Sequence, residues 1–253
     1  MQYLYGSGEA AAISVQAWRA IADHVAARVR NRPVDGVVLD EGSTLAAPRF
    51  VSCAGKPLAA VFDVDETVLL NAGFEGDDAM HPGRPYDAAR WRAYEASGGA
   101  TVLPVPGAAD ALAAIRAMGV TVVFNTNRSA GNAAFTEAAI GHAGVGPARH
   151  GETLYLSGDD ATGARKDARR AAIARRFCVV AMAGDQLGDF SDLFNANASG
   201  QPFAGRRAAT LGAPVARLWG AGWFVLPNPV YGTALKGGMD EVFPVAGRWT
   251  PAP

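Results

Sequence analysis

Cysteine is scarce in this chain: Cys53 and Cys178 are the only two among 253 residues. Two cysteines exclude a disulfide framework and a thiolate metal cluster, and they leave open whether one bridge joins them. No stretch reaches the roughly 18 apolar residues of a membrane-spanning helix, so we expect no transmembrane segment. Residues 1–5 lack the basic and apolar regions of a signal peptide, so if the protein is exported we expect its signal to lie outside this sequence.

An excess of one charge sign is also absent. The formal net charge of −1 gives no reason to expect a nucleic acid polymer or an anionic membrane as partner. The four histidines are scattered without metal-ligand spacing, and only three of the 23 basic residues are lysines. What is present is an ordinary globular composition, 49% hydrophobic and 19% charged, and a length that suits one large α/β domain.

The clearest motif is a short apolar run, residues 59–62, that ends in Asp63 and Asp65 and is followed by Thr67. The run is too short for a helix and is typical of a buried parallel strand. In open α/β sheets, ligands bind at the carboxyl ends of such strands. Two carboxylates about 4 Å apart repel by roughly 4 kcal/mol at an effective dielectric near 20, so the pattern favours a cation or a shared proton.

Two interpretations of this motif stay open at this point. In the functional one, Asp63 attacks phosphorus, Asp65 donates and then accepts a proton, and a divalent metal holds the phosphate. In the structural one, Asp63 ends a strand while Asp65 and Thr67 cap a following helix.

Two later strands are also predicted to end in polar residues. Residues 120–124 run into residues 125–128, whose hydroxyl and amide groups suit an oxyanion or an ordinary turn. Residues 178–183 run into Asp185 and Asp189. If that strand lies beside the first, Asp185 completes an oxygen cage with Asp63 that suits Mg²⁺, and Asp189 supports it from behind.

A basic helix is predicted over residues 163–177, and its arginines are expected to form a solvated face. Lys166 stands near its start. Because lysine is rare here and its ammonium is a compact charge, Lys166 is a candidate for holding a phosphate.

The remaining pattern predicts an α/β fold, a parallel sheet with helices on both faces. An amphipathic helix is expected over residues 9–30, an irregular segment over 33–57 and a helix over 129–142. Residues 72–103, broken by glycine and proline, are predicted to be an insertion over the active edge that excludes water and selects substrate. An ordinary surface excursion is the alternative.

In chain order, these strand-end groups resemble the four motifs of the haloacid dehalogenase superfamily. Residues 5–18, 84–87 with Trp91, 105–108, 184–190 and 226–232 look like those of the class C acid phosphatases, which comprise bacterial lipoprotein-type nonspecific acid phosphatases and 5′-nucleotidases. Gln186 stands where the family usually has asparagine. The resemblance spans roughly residues 3–235. It implies one Rossmann-like domain over 1–253, with 72–103 as a small cap.

The resemblance also implies a role for each matching residue. Those that act on phosphate or hold Mg²⁺ are Asp63 as nucleophile and metal ligand, Asp65 as general acid/base and metal ligand through its carbonyl, Thr126 and Lys166 on the phosphoryl oxygens, Asp185 on the metal, and Asp189 and Thr67 behind them. Those that bind substrate are Asn127, Arg128, Tyr86 and Tyr231. The two tyrosines would stack on a nucleobase or aryl group, and simple packing is the alternative for both.

The resulting hypothesis is a Mg²⁺-dependent phosphatase that hydrolyses small phosphomonoesters, nucleoside monophosphates and aryl phosphates, through an aspartyl-phosphate. A phosphotransferase on the same fold is one alternative, which product analysis with an acceptor nucleoside would distinguish. A non-catalytic binding or storage protein is another, which would bind ligand without metal and release no phosphate. The resemblance implies a periplasmic or cell-envelope location, while a cytoplasmic location and a homo-oligomer stay open.

Overall fold

The computed structural model of the protein describes residues 1–195, 203–212 and 214–249. Strands in this part of the chain are β1 (Asp35–Leu39), β2 (Phe50–Ser52), β3 (Leu58–Phe62), β4 (Leu69–Leu70), β5 (Leu103–Pro104), β6 (Thr121–Ser129), β7 (Leu154–Ser157), β8 (Cys178–Gly184) and β9 (Trp223–Val225). Five of them form the central sheet in the order β7-β6-β3-β8-β9, and every neighbouring pair is parallel.

Helices surround this sheet. They are α1 (Gln2–Gly6), α2 (Gly8–Arg30), α3 (Ala72–Met80), α4 (Ala88–Ser97), α5 (Ala108–Ala117), α6 (Ala133–His142), α7 (Asp167–Arg176), α8 (Phe203–Leu211) and α9 (Met239–Val242). Across the described ranges, no helix combines the length and the apolar character needed to cross a membrane. The predicted parallel α/β architecture is confirmed.

The side chains of β3 alternate between the two faces of the sheet, and both faces are covered by other parts of the protein. All five of its residues are buried. On one face, Phe62 packs in a core with Trp18 of α2 and Leu112 of α5, and the rings of Trp18 and Phe62 are 5.2 Å apart. On the other face, Val61 packs in a second core with Ile173 of α7. Because β3 is central and dry on both sides, its carboxyl end is held rigidly where the first aspartates follow.

Residues 33–57, predicted to be irregular, contain an antiparallel hairpin of β1 and β2. The prediction was wrong because these strands are only five and three residues long, too short to show alternation between turn residues. Val37 and Val38 join the core beside α7. Trp223 of β9 donates its indole N–H to the carbonyl of Val37 at 2.8 Å, so the hairpin is fixed to the sheet.

A disulfide joins Cys53, just after β2, to Cys178 at the start of β8, across 125 residues of chain. Replacing both cysteines by alanine is expected to lower the free energy of unfolding by about 2–4 kcal/mol, because the bridge restricts the unfolded chain. Urea denaturation of the oxidised wild type and the double variant measures the difference. Reduced wild type should lose a similar amount; equal midpoints for all three samples would show that the bridge contributes nothing.

Two helix boundaries also differ from the sequence prediction. The strand β6 continues to Ser129 and α6 begins only at Ala133, because β7 pairs with Asn125 and Ser129 at the far end of β6. Helix α7 begins at Asp167, so Lys166 is its N-cap residue. The predicted polar segment 125–128 therefore lies within a strand, and its pairing with β7 is irregular between Asn125 and Ser129.

Residues 72–103 form α3, α4 and β5, and β5 pairs with β4 outside the central sheet. Phe74, Trp91 and Tyr94 make an aromatic cluster with ring centroids 4.9–5.5 Å apart. Glu95 of α4 accepts a hydrogen bond from the backbone N–H of Ser129 at 3.2 Å. The segment is thus anchored beside the end of β6. Its role as a cap, like the single-domain assignment, stays a prediction.

Candidate active site

The site begins where β3 ends. The backbone N–H of Asp63 continues the ladder by donating to the carbonyl of Ala183 at 2.9 Å, and the chain then turns, with the N–H groups of residues 67–69 all bonded to the carbonyl of Val64. The Asp63 carboxylate is buried. One of its oxygens pairs with the Nζ of Lys166, and the other accepts from the hydroxyl of Thr67 at 3.3 Å.

Lys166 reaches Asp63 from the amino end of α7. The Asp192 carboxylate fixes this end by accepting the backbone N–H groups of Lys166 and Asp167, at 2.9 and 2.8 Å. The Nζ also donates to Asp189 at 2.7 Å. Burial lowers the pKa of Lys166, but the carboxylates of Asp189 and Asp63 outweigh it and the net pKa is raised. Lys166 is therefore a buried, fixed cation.

The segment that directly follows β8 supplies the other acids. Asp63, Asp185 and Asp189 each place a carboxylate oxygen within 4.8 Å of the other two. The Asp185 carboxylate accepts from Asn228 Nδ2 at 2.6 Å and from Gln186 Nε2 at 2.9 Å. A Cβ at Gly184 would collide with the Asp189 side chain, so only glycine permits this approach.

The three carboxylates concentrate negative charge in a buried place. Burial raises the pKa of Asp63 well above its usual range, although Lys166 opposes the shift. Burial is the main cause and the charge of Asp189 the second cause that raise the pKa of Asp185 to about 7. One ammonium cannot neutralise three carboxylates, and carboxylate oxygens are the donors that hard divalent cations prefer. The donor set fits a metal such as Mg²⁺.

Asp65 has different neighbours from Asp63, because the turn begins between them. Its carboxylate accepts from Arg128 Nε at 2.9 Å, from Asn71 Nδ2 at 3.0 Å and from the Thr126 hydroxyl at 3.4 Å. Arg128 is 1% exposed and also donates to Asn71 Oδ1 at 2.8 Å. These contacts make Arg128 a partner of Asp65, and its predicted contact with substrate stays a prediction.

Thr126 and Asn127 are held from behind by Arg169 of α7. The guanidinium donates to the carbonyl of Thr126 and, at 2.7 Å, to Asn127 Oδ1. Its neighbour Arg170 donates to the carbonyl of Gly188 at 2.8 Å. The prediction that the arginines of this helix are solvated was wrong for these two, which are buried, because this face of α7 packs against the loops that carry the site.

The two predicted aromatic platforms differ in exposure. Tyr86, between α3 and α4, is 71% exposed. Tyr231 is 36% exposed, yet its hydroxyl donates to the buried carboxylate of Glu66. Burial, and next the charge of Asp65, raises the pKa of Glu66 to about 7, against the hydrogen bonds it accepts.

Among the polar residues that support the site, sequence reasoning missed Glu66, Asn71, Arg169, Asp192 and Asn228. Only Asn228 carries a local signal, because it lies between two prolines directly after β9. Glu66 and Asn71, which bond to each other across five residues, resemble ordinary turn residues, and the partners of Arg169 and Asp192 lie elsewhere in the chain.

A family model described as HAD superfamily, subfamily IIIB (Acid phosphatase) matches residues 10–234. The Class C acid phosphatase from Bacillus anthracis has a similar structure, with a TM-score of 0.72, 23% identity, and coverage of 92% of this chain and 83% of that one. The crystal structure of Class C acid phosphatase from the same organism with tungstate bound is similar as well, with a TM-score of 0.72 and 20% identity, and the match covers 100% of this chain and 95% of that one. No curated protein matches.

Acids at the carboxyl ends of neighbouring parallel strands, next to a buried lysine, suit an α/β enzyme that acts on phosphate. The family model covers most of this chain, and the chain therefore belongs to the acid phosphatases of HAD subfamily IIIB. The predicted family and the predicted enzyme class, phosphoric monoester hydrolase, are confirmed. At 20–23% identity, the solved structures add the shared fold.

Proposed function

We propose that this acid phosphatase hydrolyses nucleoside monophosphates and aryl phosphates with Mg²⁺, through a phosphoryl group carried on Asp63. The observation that supports this most directly is the position of the Asp63 carboxylate. It lies at the carboxyl end of β3 against Lys166 and within 4.8 Å of oxygens from Asp185 and Asp189. A carboxylate that attacks an anionic phosphate needs positive charge beside it, which Lys166 supplies and which a divalent cation on the three carboxylates would increase.

In the first step, an Asp63 oxygen forms a bond to phosphorus while the bond from phosphorus to the leaving oxygen breaks. Asp65 gives that oxygen a proton, so the alcohol or phenol leaves neutral. In the second step, Asp65 takes a proton from water, the water oxygen bonds to phosphorus, and the bond to Asp63 breaks to release inorganic phosphate. Arg128 and Asn71 hold Asp65 in the orientation that both transfers require.

The remaining residues bind and orient the transferring group. Lys166 and the hydroxyl of Thr126 hold its oxygens, while Thr67 steadies the second oxygen of Asp63. Asp63, the carbonyl of Asp65 and Asp185 would hold Mg²⁺, which supplies positive charge against the phosphoryl oxygens. Asp189 accepts a hydrogen bond from Lys166 and so keeps its ammonium beside the phosphoryl oxygens.

Substrate selection falls to groups around the opening. Asn127 is exposed, and its amide accepts from Arg169 and donates from Nδ2 to the carbonyl of Ala164 at 3.0 Å. The second N–H of Nδ2 would meet a phosphate or sugar oxygen. Tyr86 and Tyr231 offer ring faces to the base or aryl group, which suits broad specificity because every base has a face on which to stack. Segment 72–103 would exclude water above the site.

Removal of divalent metal is expected to abolish phosphate release, and Mg²⁺ is expected to restore it. Independently of activity, Mg²⁺ should raise the melting temperature of the wild type by relieving repulsion among the three carboxylates. Asp185→Asn should lose most of that rise. Asp110→Asn, which removes an exposed carboxylate on α5, is the matched control and should keep it.

Three outcomes would contradict metal dependence. These are full activity in EDTA, an unchanged melting temperature with Mg²⁺, and equal stabilisation of the two variants. Substrate range is tested separately, with nucleoside monophosphates, an aryl phosphate and an alkyl phosphate assayed side by side.

A location in the periplasm or cell envelope is part of the same proposal. The Cys53–Cys178 bridge supports it, since disulfides persist in oxidising compartments and are rare in the cytosol. Fractionation of the source cells with an antibody to the protein tests the location, and a purely cytosolic signal would reject it.

A further inference from the structure

Glu66 has an unusual backbone conformation for its residue type. Its φ is 52°, in the left-handed region, and Glu66 and Ala54 are the only non-glycine residues with positive φ within the described ranges. Glycine would adopt this conformation without strain, whereas a glutamate pays in conformational energy. The side chain is also 1% exposed. A strained and buried acid directly beside Asp65 calls for a compensating role of the side chain.

The Glu66 carboxylate accepts hydrogen bonds from three separate segments. Tyr5 of α1 donates its hydroxyl at 2.8 Å. Asn71, which follows β4, donates its backbone N–H at 2.9 Å and its amide at 3.1 Å. The hydroxyl of Tyr231, in the loop after β9, donates to the other oxygen. A carboxylate has acceptor sites for all of these donors, whereas a glutamine has one acceptor oxygen and would direct an NH₂ group at another donor.

Tyr231 is held at both ends. Glu66 binds its buried hydroxyl, while its backbone N–H donates to Asn228 Oδ1 at 3.3 Å. Asn228 in turn donates to Asp185 at 2.6 Å. Between these anchors, Tyr231 as a whole residue is 36% exposed. Its orientation is therefore set relative to both acidic strand ends.

We propose that Glu66 is a positioning residue that fixes the Tyr231 ring beside the turn after β3, residues 63–67, and so sets the preference for phosphate esters with an aromatic leaving group. The inference rests on the proposed function, because it concerns substrate choice at the same site. Glu66 touches neither the phosphate nor the leaving group. It acts through the hydroxyl of Tyr231, and Tyr5 and Asn71 hold its carboxylate in place.

The test compares kcat/KM for phenyl phosphate and for glycerol phosphate in wild type, Glu66→Gln, Tyr231→Phe and the double variant. Tyr231→Phe keeps the ring and removes only its hydroxyl. Each single variant is expected to lower the aryl-to-alkyl ratio about tenfold, through KM for phenyl phosphate, because the ring loses the hydrogen bond that anchors it. The double variant should lose no more than the larger single effect, since both changes break one interaction. Tyr155→Phe, which removes a hydroxyl bonded to Arg176, is the matched control and should keep the wild-type ratio.

A purely structural role of Glu66 would lower kcat/KM for both substrates by the same factor. The aryl-to-alkyl ratio would then stay unchanged, and that result would overturn the proposal. Additive losses in the double variant would overturn it as well. If Glu66→Gln fails to fold, Tyr231→Phe decides the matter through the ratio alone. A wild type that hydrolyses neither ester would refute the proposed function instead. The same variants would then be compared by calorimetric binding of phenyl phosphate and glycerol phosphate, where an unchanged preference in Tyr231→Phe rejects the role of Glu66.

Discussion

Replacing Asp63 by asparagine is expected to reduce phosphate release from phenyl phosphate by about four orders of magnitude or more, as loss of a nucleophile does in other covalent enzymes. The substitution keeps the size of the side chain and removes its nucleophilic oxygen. Neighbouring acids are poorly placed to substitute for it, because Asp65 is bound by Arg128 and Asp185 by Asn228. Release of inorganic phosphate in saturating Mg²⁺ measures the loss.

Two observations separate loss of the nucleophile from loss of the fold. Asp63→Asn should melt at or above the wild-type temperature, since it removes one of three repelling buried carboxylates. Acid quenching during turnover of ³²P-labelled substrate should leave label on the wild-type protein and none on the variant. Equal turnover by the two proteins, or label retained by the variant, would show that another group attacks phosphorus.

The sequence predicts that Asp63 and Asp185 meet on the condition that their strands are neighbours, which β3 and β8 are, and it predicts Lys166 as a phosphate-binding residue without placing it beside them. Parallel strands place their carboxyl ends along one edge of the sheet, so acids that terminate two adjacent strands must approach each other. The apolar runs before residues 63 and 185 have no interruptions, and both strands are entirely buried. In this part of the molecule, local pattern and global fold agree.

The direction of Asp65 and the burial of Arg169 could not be predicted, because their partners are distant in the chain. Asp65 turns toward Arg128, 63 residues away, and nothing in the spacing of two aspartates shows where the turn begins. Arg169 lies in a run of arginines that is typical of a solvated helix face, yet it bonds to Thr126 and Asn127. Polar contacts of this kind depend on the packing of whole elements, which the hydrophobic periodicity determines only coarsely.

Replacing Lys166 by methionine is expected to lower kcat/KM by about three orders of magnitude, since preorganised charge at the transferring group supplies much of the rate in phosphoryl transfer. Methionine keeps the length of the side chain and removes the ammonium that lies between Asp63 and Asp189. Lys166→Arg should recover little of the loss, because the lysine is only 4% exposed and a planar guanidinium needs more room and a different hydrogen-bond geometry.

The matched control is Arg165→Met, which removes an exposed positive charge one residue earlier and should leave kcat/KM near the wild-type value. If general electrostatic attraction of phosphate to the basic helix were responsible, both methionine variants would lose activity to a similar extent, and added salt would reduce the wild-type rate toward theirs. A specific role predicts the opposite: the Lys166→Met defect persists at high ionic strength, because a buried ion pair is screened little by solvent ions. A defect in Lys166→Met smaller than tenfold would remove Lys166 from the catalytic group, and Asp63 would then be neutralised by the metal alone.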